Sequence, residues 1–169
     1  MPARLLTCVL SLGLLGAAAS CGPGVDLATA LVVTDVESGY FNNGFKEGQH
    51  HLLPSVSFRL RNESDANLTS IQINVQFWQD GADGELDSRP LAGVSTDPLA
   101  PGMQTDTFLV RSGAGYLLPD PDITAFFLNS EFKDVTVRVF ARRSGYIVKI
   151  FEQHVDRRIL SQAPPPERP

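Results

Sequence analysis

The densest cluster of carboxylates in the sequence is the segment DGADGELD. Ca²⁺ requires several hard oxygen ligands at short spacing, so Asp80, Asp83, Glu85 and Asp87 are candidate metal ligands. Their spacing differs from that of the EF-hand loop, which closes with a glutamate. Aspartate and glycine are also favoured in hairpin turns for backbone reasons. We therefore interpret the segment as a solvated turn, with metal binding as the alternative.

Two adjacent histidines, His50 and His51, follow Glu47 in a segment that we interpret as a long loop over residues 38–54. Imidazole is a common ligand of transition metals. The third histidine, His154, is far away in the sequence, and no further ligand is evident beside the pair. We therefore interpret the pair as exposed loop histidines and predict no metal and no other cofactor.

Aromatic residues on the surface are the candidates for binding another macromolecule. Trp78 is the only tryptophan, and if Phe77 points into a core, the alternation of a strand turns Trp78 outward. Tyr40, Phe41 and Phe45 lie in the predicted long loop. Exposed aromatic residues are enriched at interfaces. The alternative is that both groups pack over the edge of the fold.

Residue sets typical of an enzyme are not evident in the sequence. It contains no nucleophile elbow, glycine-rich phosphate loop, Ser-His-Asp or Cys-His arrangement that we can identify. The 169 residues carry a formal net charge of −5, which argues against nucleic acid as a partner because phosphate binding needs a basic surface. We therefore expect a non-enzymatic protein.

The N-terminus has the organisation of a secretory signal peptide over residues 1–20. Arg4 supplies the positive charge, residues 5–15 form an apolar region, and residues 16–20 are all small. The apolar run is short for a permanent transmembrane helix. Cleavage near Ala19, without any lipid, is one interpretation of this segment.

The small residues end at a cysteine, and this favours a second interpretation. Ala18-Ala19-Ser20-Cys21 resembles a bacterial lipobox, and Cys8 would leave with the signal peptide. The resemblance implies that Cys21 carries lipid chains, and two or more chains give stable membrane anchoring. Gly22 resembles the residue of outer-membrane lipoproteins, which would face the periplasm in a host with two membranes.

The remaining chain reads mostly as strands, because three segments alternate apolar and polar residues: 55–61, 70–78 and 135–142. Further strand candidates are 27–36, 89–94, 105–111 and 146–155. A short helix is predicted over 121–129, with Asp120 as its cap and Pro121 at its first position. About seven short strands with turn signals between them predict an all-β, immunoglobulin-like antiparallel β-sandwich.

The predicted domain occupies residues 27–161. Residues 21–26 form a lipidated tether, and residues 162–169 form a proline-rich, polar tail that we expect to be disordered.

One stretch of the predicted domain, about residues 55–111, also resembles a known family. It reads as an alternating strand, the turn Asn62-Glu63-Ser64-Asp65, a second alternating strand ending in Phe77-Trp78-Gln79-Asp80, then Leu99-Ala100-Pro101-Gly102. This resembles the FxLYD-type immunoglobulin-like domains of exported prokaryotic proteins, although the usual Tyr-Asp ending is replaced here. The resemblance implies a sandwich fold and an extracytoplasmic adhesive or scaffolding role.

Two functional hypotheses follow. The favoured one is a lipid-anchored envelope protein that acts as a non-enzymatic protein-binding or assembly module, held at the membrane by its lipid, with another envelope protein as its partner. The alternative is a lipoprotein that binds a small ligand or a metal through the acidic turn or the histidines.

Overall fold

The computed structural model of the chain describes residues 25–119 and 123–160, which form two packed β-sheets. The first sheet consists of β1 (Leu31–Lys46), β2 (Gln49–Asn62), β5 (Phe108–Arg111), β6 (Tyr116–Leu118) and β9 (Ile159–Leu160). The second sheet consists of β3 (Ile71–Gln79), β4 (Glu85–Val94), β7 (Val135–Arg143) and β8 (Tyr146–His154). The predicted signal peptide, Cys21 and the predicted tail over residues 162–169 lie outside the described residues.

The order of the strands confirms the predicted fold class. The first sheet has the order β5-β2-β1-β9, with β6 also paired to β2, and the second has the order β4-β3-β7-β8. If β1 to β5, β7 and β8 are labelled A, B, C, C′, E, F and G, the sheets are A-B-E and C′-C-F-G. This is the connectivity of an immunoglobulin-like sandwich. Two short strands, β6 and β9, exceed the predicted seven, and β9 pairs with β1 in parallel.

Two short helical segments accompany the strands, one before β1 and one between β6 and β7. Residues 27–30, predicted as the start of a strand, instead form the helix α1 (Leu27–Ala30). Asp26 caps it, because the Asp26 carboxylate accepts a hydrogen bond of 3.0 Å from the N–H of Ala28. The helix predicted over 121–129 is a 3₁₀ helix at Ile123–Leu128. The proposed cap at Asp120 and the proline after it lie outside the described residues.

The prediction of a long loop over residues 38–54 is wrong. These residues belong to the β1–β2 hairpin, whose pairing runs from Leu31–Asn62 to Lys46–Gln49. The turn at Glu47 and Gly48 has positive φ at both residues, which is the geometry of a tight two-residue hairpin turn. Two breaks in register interrupt β1, and they hide the alternation that identifies a strand in the sequence.

The core lies between the sheets and is built from the alternating residues of both. The inward residues that the alternation predicted are all 0–1% exposed: Val56, Phe58, Leu60, Ile71, Ile73, Val75, Phe77, Val135, Val137 and Val139. Because each strand buries one face, each sheet also has an outer face, and functional side chains must lie there or at the ends of the sandwich.

The segment that leads into β9 is fastened to β1 through Ser38. The buried Ser38 hydroxyl group accepts hydrogen bonds from the N–H of Asp156 at 3.0 Å and from the amide of Gln153 at 3.2 Å. The carbonyl of Ser38 accepts a third from the Arg158 guanidinium at 2.6 Å. These contacts hold the last described strand against the middle of β1.

Candidate functional site

Trp78 lies on the outer face of the second sheet, as the alternation predicted, because the preceding Phe77 is fully buried. The Trp78 side chain is half-buried. Its indole N–H donates a hydrogen bond to Gln76 Oε1 at 3.1 Å, and the Arg138 guanidinium lies 4.8 Å from the ring centroid. Arg138 also forms an ion pair of 2.9 Å with Glu152. Trp78 is therefore a fixed part of the sheet surface.

Three rows of side chains cross this outer face beside Trp78, because neighbouring strands are paired in register. From β4 through β3 and β7 to β8, the rows are Ala92-Gln72-Arg142-Ile147, Pro90-Asn74-Phe140-Lys149 and Ser88-Gln76-Arg138-Glu152. Their members alternate with core residues along each strand. The face is thus a regular grid of amides, rings and charged groups.

A groove of about 630 Å³ crosses this grid. Its main side chains are Gln72, Asn74, Gln76, Pro90, Phe140, Arg142 and Ile147, and we call it the amide groove. The Asn74 carbonyl oxygen accepts a hydrogen bond of 3.0 Å from the Ser88 hydroxyl group, which joins β3 to β4. Ile147 is 58% exposed, which is high for an isoleucine on a strand. The groove therefore combines hydrogen-bonding groups with apolar walls.

The amide groove is electrically distinct from the rest of this acidic chain. No carboxylate lines the groove among the described residues, and Arg142 makes no ion pair with them. The nearby Glu152 is already bound by Lys149 at 2.7 Å and by Arg138 at 2.9 Å. The hydrogen bond from Lys149 is the largest cause that holds the pKa of Glu152 below its usual range. The positive charge of Arg142 is therefore not neutralised by any described carboxylate.

The three aromatic residues of the predicted loop occupy different places. Tyr40 is 0% exposed, so the prediction that it belongs to a surface binding site is wrong. It faces the core because the first break in register shifts the alternation of β1, so that Ser38 and Tyr40 both point inward. Phe41 lies on the outer face of the first sheet, half-buried, with the Arg111 guanidinium 3.7 Å from its ring centroid. Phe45, near the hairpin turn, is 56% exposed and packs edge-on against His50.

Phe41 belongs to an apolar region on the outer face of the first sheet. Leu53 is its partner on β2, and Leu109 and Leu117 lie on β5 and β6 beside β2. Leu109 and Leu117 are 59% and 58% exposed. We call these four residues the leucine patch. The other end of the same face is polar, with Arg59 near Asp35 and Arg61 paired to Glu63 at 2.9 Å.

Tyr40 is instead the centre of an aromatic cluster that closes one end of the sandwich. Its ring lies within 6.1 Å of four others, those of Tyr116, Phe126, Phe127 and Phe132. Burial is the main cause that raises the pKa of Tyr40 far above its ordinary value, and burial likewise raises the pKa of Tyr116. The Tyr116 hydroxyl group donates to the carbonyl of Lys133. The cluster is structural.

The structure separates the carboxylates of the acidic segment. Asp80 lies beside Thr136, Asp83 lies in the turn, Glu85 begins β4, and Asp87 is bound to Arg89 and Gly113. Among the described residues, no three His, Cys, Asp or Glu side chains are grouped as a metal would require. The structure therefore does not bring the predicted ligands together.

Asp87 has a structural role of its own. It forms an ion pair of 2.7 Å with Arg89 and accepts a hydrogen bond of 2.6 Å from the N–H of Gly113. Burial alone would raise its pKa, but the hydrogen bonds from Gly113 and Ser88 and the charge of Arg89 hold the pKa below its usual value. Gly113 lies between β5 and β6, so Asp87 connects the two sheets.

The histidines are also separated. His50 and His51 lie in β2 rather than in a loop, and adjacent residues of a strand point to opposite faces. His154 lies on β8 of the second sheet, 3.2 Å from the Thr136 hydroxyl group. These positions explain why the three imidazoles do not share a site.

The lipidation prediction concerns Cys21, which lies outside the described residues and stays a prediction. Within residues 25–119 and 123–160, no helix is long and apolar enough to cross a bilayer.

Sequence reasoning identified Trp78 and Phe41 but missed the groove beside one and the patch around the other. The alternation of β3 and β7 does place Gln72, Phe140 and Arg142 outward, which is a usable signal. Their convergence depends on the pairing of β7 with β3, which joins segments distant in the sequence. The leucine patch depends in the same way on β5 and β6 pairing with β2.

Comparison with known proteins gives structural similarities only. No family model matches the chain, and no curated protein matches it significantly. A protein from Bordetella pertussis assigned as ApaA is 21% identical, covers 75% of this chain and 93% of its own, and has a TM-score of 0.39. A protein from Archaeoglobus fulgidus is 12% identical, with 72% and 93% covered and a TM-score of 0.38. A protein from Arabidopsis thaliana is 12% identical, with 78% and 83% covered and a TM-score of 0.39.

Proposed function

We propose that the chain is a lipid-anchored envelope protein that acts as a non-enzymatic protein-binding or assembly module. The observation that carries this proposal is the leucine patch, four apolar residues on the same outer face, two of them leucines that are more than half exposed. Exposed apolar patches on soluble domains commonly mark sites of protein association. A partner that covers Leu109, Leu117 and Phe41 would gain the free energy of removing them from water.

The position of the patch suits a partner away from the anchor. Leu31 begins β1, and Phe41 is ten residues further along the strand. At the rise of a β-strand this separation is roughly 33 Å. If Cys21 carries the lipid, the tether over residues 21–26 enters the fold near Leu31. Phe41, Leu53 and Leu117 then lie towards the far end of the first sheet, where a second envelope protein can reach them.

Supporting evidence for the anchor comes from the sequence alone. The small residues before Cys21 and the lipobox-like Ala18-Ala19-Ser20-Cys21 support lipidation, and Gly22 supports the outer membrane in a host with two membranes. Mass spectrometry of the membrane-extracted protein tests this part. An acylated N-terminal Cys21 peptide is expected, and a free Cys21 thiol in a soluble mature protein would contradict it.

The docking proposal is tested by crosslinking the full chain in whole cells. Leu109→Glu combined with Leu117→Glu places two charges in the patch without altering buried residues. Recovery of the crosslinked partner should fall at least about tenfold, because a few central apolar residues commonly dominate an interface. Val32→Glu is the matched control, since Val32 is exposed (38%) at the polar end of the same sheet. Equal recovery from all three proteins would refute docking through this patch.

The alternative, a lipoprotein that binds a metal, has less support from the geometry. The carboxylates of the acidic segment lie apart, and the histidines point to different faces and sheets. We therefore expect that neutralising Asp80, Asp83 and Glu85 together leaves partner recovery unchanged. His50→Ala is not a clean test of a surface role, because the ring packs on Phe45.

A further inference from the structure

We infer that the amide groove of the second sheet binds an acidic polysaccharide. This site is separate from the leucine patch, since the two lie on the outer faces of different sheets. The inference does not depend on the proposed protein partner. It rests on three properties of the groove: its row of amides, its apolar walls and its free positive charge.

The row of amides matches the hydroxyl groups of a sugar chain. Gln72, Asn74 and Gln76 occupy every second position of β3, so their side chains are spaced roughly 6.6 Å apart. An amide both donates and accepts hydrogen bonds, as a hydroxyl group does. Because an indole N–H can only donate, the contact with Trp78 directs the oxygen of Gln76 towards the ring. The two amide N–H donors of Gln76 have no partner among the described residues.

The walls of the groove suit the apolar faces of sugar rings. Phe140 and Pro90 stand on either side of Asn74 in the same row. Ile147 extends the wall on β8 and is 58% exposed. The ring of Phe140 presents a flat apolar surface beside the amide of Asn74. A saccharide likewise places apolar C–H faces beside hydroxyl groups, so the two surfaces match. Ligand sites commonly have this composition of apolar walls and a few placed polar groups.

The charge of the groove selects an acidic ligand. Arg142 is exposed, lies in the groove and makes no ion pair with the described residues. A guanidinium matches the geometry of a carboxylate through two parallel hydrogen bonds. The groove has no competing carboxylate among the described residues, although the chain as a whole carries a net charge of −5. A uronic acid unit would therefore bind with its carboxylate at Arg142.

An extended peptide fits this surface less well. Peptides that bind sheets commonly add a strand at an edge through backbone hydrogen bonds. The sheet has two edge strands, β4 and β8, and the groove spans the face between them; Pro90 near the middle of β4 lacks the N–H that strand addition uses at that edge. The groove itself opens on the face, where only side chains are offered.

Affinity electrophoresis of the full chain in non-ionic detergent tests the inference. Native gels contain polygalacturonate, alginate or hyaluronate as acidic polysaccharides, dextran as a neutral polysaccharide, or poly-glutamate as an anionic peptide. At least one acidic polysaccharide should retard the protein more than dextran and poly-glutamate do. No retardation by any of the three acidic polysaccharides would overturn the inference, as would equal or stronger retardation by poly-glutamate.

A matched pair of variants locates the site. Arg142→Gln should weaken retardation roughly tenfold, the effect expected from losing one hydrogen bond between charged groups. Arg143→Gln removes the same charge from the next residue of β7, which points to the opposite side, and should bind like the wild type. Equal losses in both variants would show that only overall charge matters and would overturn the inference.

Two further variants separate folding from binding. Gln72→Ala changes an exposed residue and should weaken binding at an unchanged melting temperature. Leu109→Glu with Leu117→Glu should leave polysaccharide binding intact. If the patch variants lose their protein partner but still bind the polysaccharide, the two binding sites are independent. Failure of one proposal then leaves the other unaffected.

Discussion

The two outer faces of the sandwich each carry an arginine stacked on an aromatic ring, in different surroundings. On the first sheet, Arg111 lies 3.7 Å from the centroid of Phe41 and makes no ion pair with the described residues. On the second, Arg138 lies 4.8 Å from the centroid of Trp78 and is also bound to Glu152. The first pair is surrounded by leucines, and the second by amides and charged groups.

This difference shows that an aromatic residue on a strand does not by itself define a binding surface. The neighbours that strand pairing brings to it decide the chemistry. Leucines beside Phe41 favour contact with another apolar protein surface, whereas amides beside Trp78 favour a ligand rich in hydroxyl groups. One fold can therefore present two unrelated surfaces, provided that both sheets share a single core.

The largest effects on stability are expected from substitutions of core residues that lie under either outer face. Phe58→Ala in the first sheet and Val75→Ala in the second should each lower the free energy of unfolding by about 2–5 kcal/mol, because both side chains are fully buried. Gln72→Ala, on the outer face of β3, should change it by less than about 0.5 kcal/mol, and Gln76→Ala by roughly 1 kcal/mol because it also removes the hydrogen bond from Trp78. Urea denaturation of the four variants measures this. A cost for Gln76→Ala equal to that of Val75→Ala would contradict the assignment of faces.

A smaller effect is expected at Asp87, which connects the sheets. Its pKa is lowered in the folded protein, so its carboxylate stabilises the fold above the unfolded value of about 4, and this contribution disappears as the pH falls through the folded value. Asp87→Asn should cost roughly 1–2 kcal/mol at pH 7, as expected for hydrogen bonds to a charged group. It should also flatten the loss of stability between neutral pH and acid.

Melting temperatures from pH 7 down to acid check this prediction, with Asp83→Asn as the control. Asp83 is exposed in the neighbouring turn and makes no ion pair with the described residues. If Asp83→Asn and Asp87→Asn have the same pH profile as the wild type, then Asp87 does not couple the two sheets.

The smallest effects are expected for the two stacked arginines. Arg111→Gln should cost less than about 1 kcal/mol, since an exposed cation–π contact contributes little. Arg138→Gln should cost somewhat more, because it also removes the ion pair with Glu152. Urea denaturation at low salt compares them. A larger cost for Arg111→Gln would mean that the stack on Phe41 stabilises the fold rather than serving a partner.

The sequence predicts the fold wherever apolar residues alternate without interruption. The strands around Phe58, Val75 and Val137 follow from that pattern. The pattern fails in β1, where a positive φ at Asp35 and at Gly44 accompanies the two breaks in register. Each break shifts the alternation by one residue, and Tyr40, which follows the first break, is buried although its segment reads as a polar loop.

The candidate sites were less predictable, because they depend on contacts between distant segments. Trp78 is outward by local alternation alone. Arg142 and Phe140 meet Gln72 and Asn74 only because β7 pairs with β3, and many other pairings fit the same alternation. Leu109 and Leu117 join Phe41 for the same kind of reason. Single strands indicate which residues are exposed, but not which of them are neighbours.

The parallel pairing of β9 with β1 has a mechanical consequence. A pull between the start of β1 at Leu31 and the end of β9 at Leu160 would slide these parallel strands past each other instead of peeling them apart. The load would be shared at once among the backbone pairs and the three hydrogen bonds on Ser38. The domain is thus built to resist force applied between these two ends.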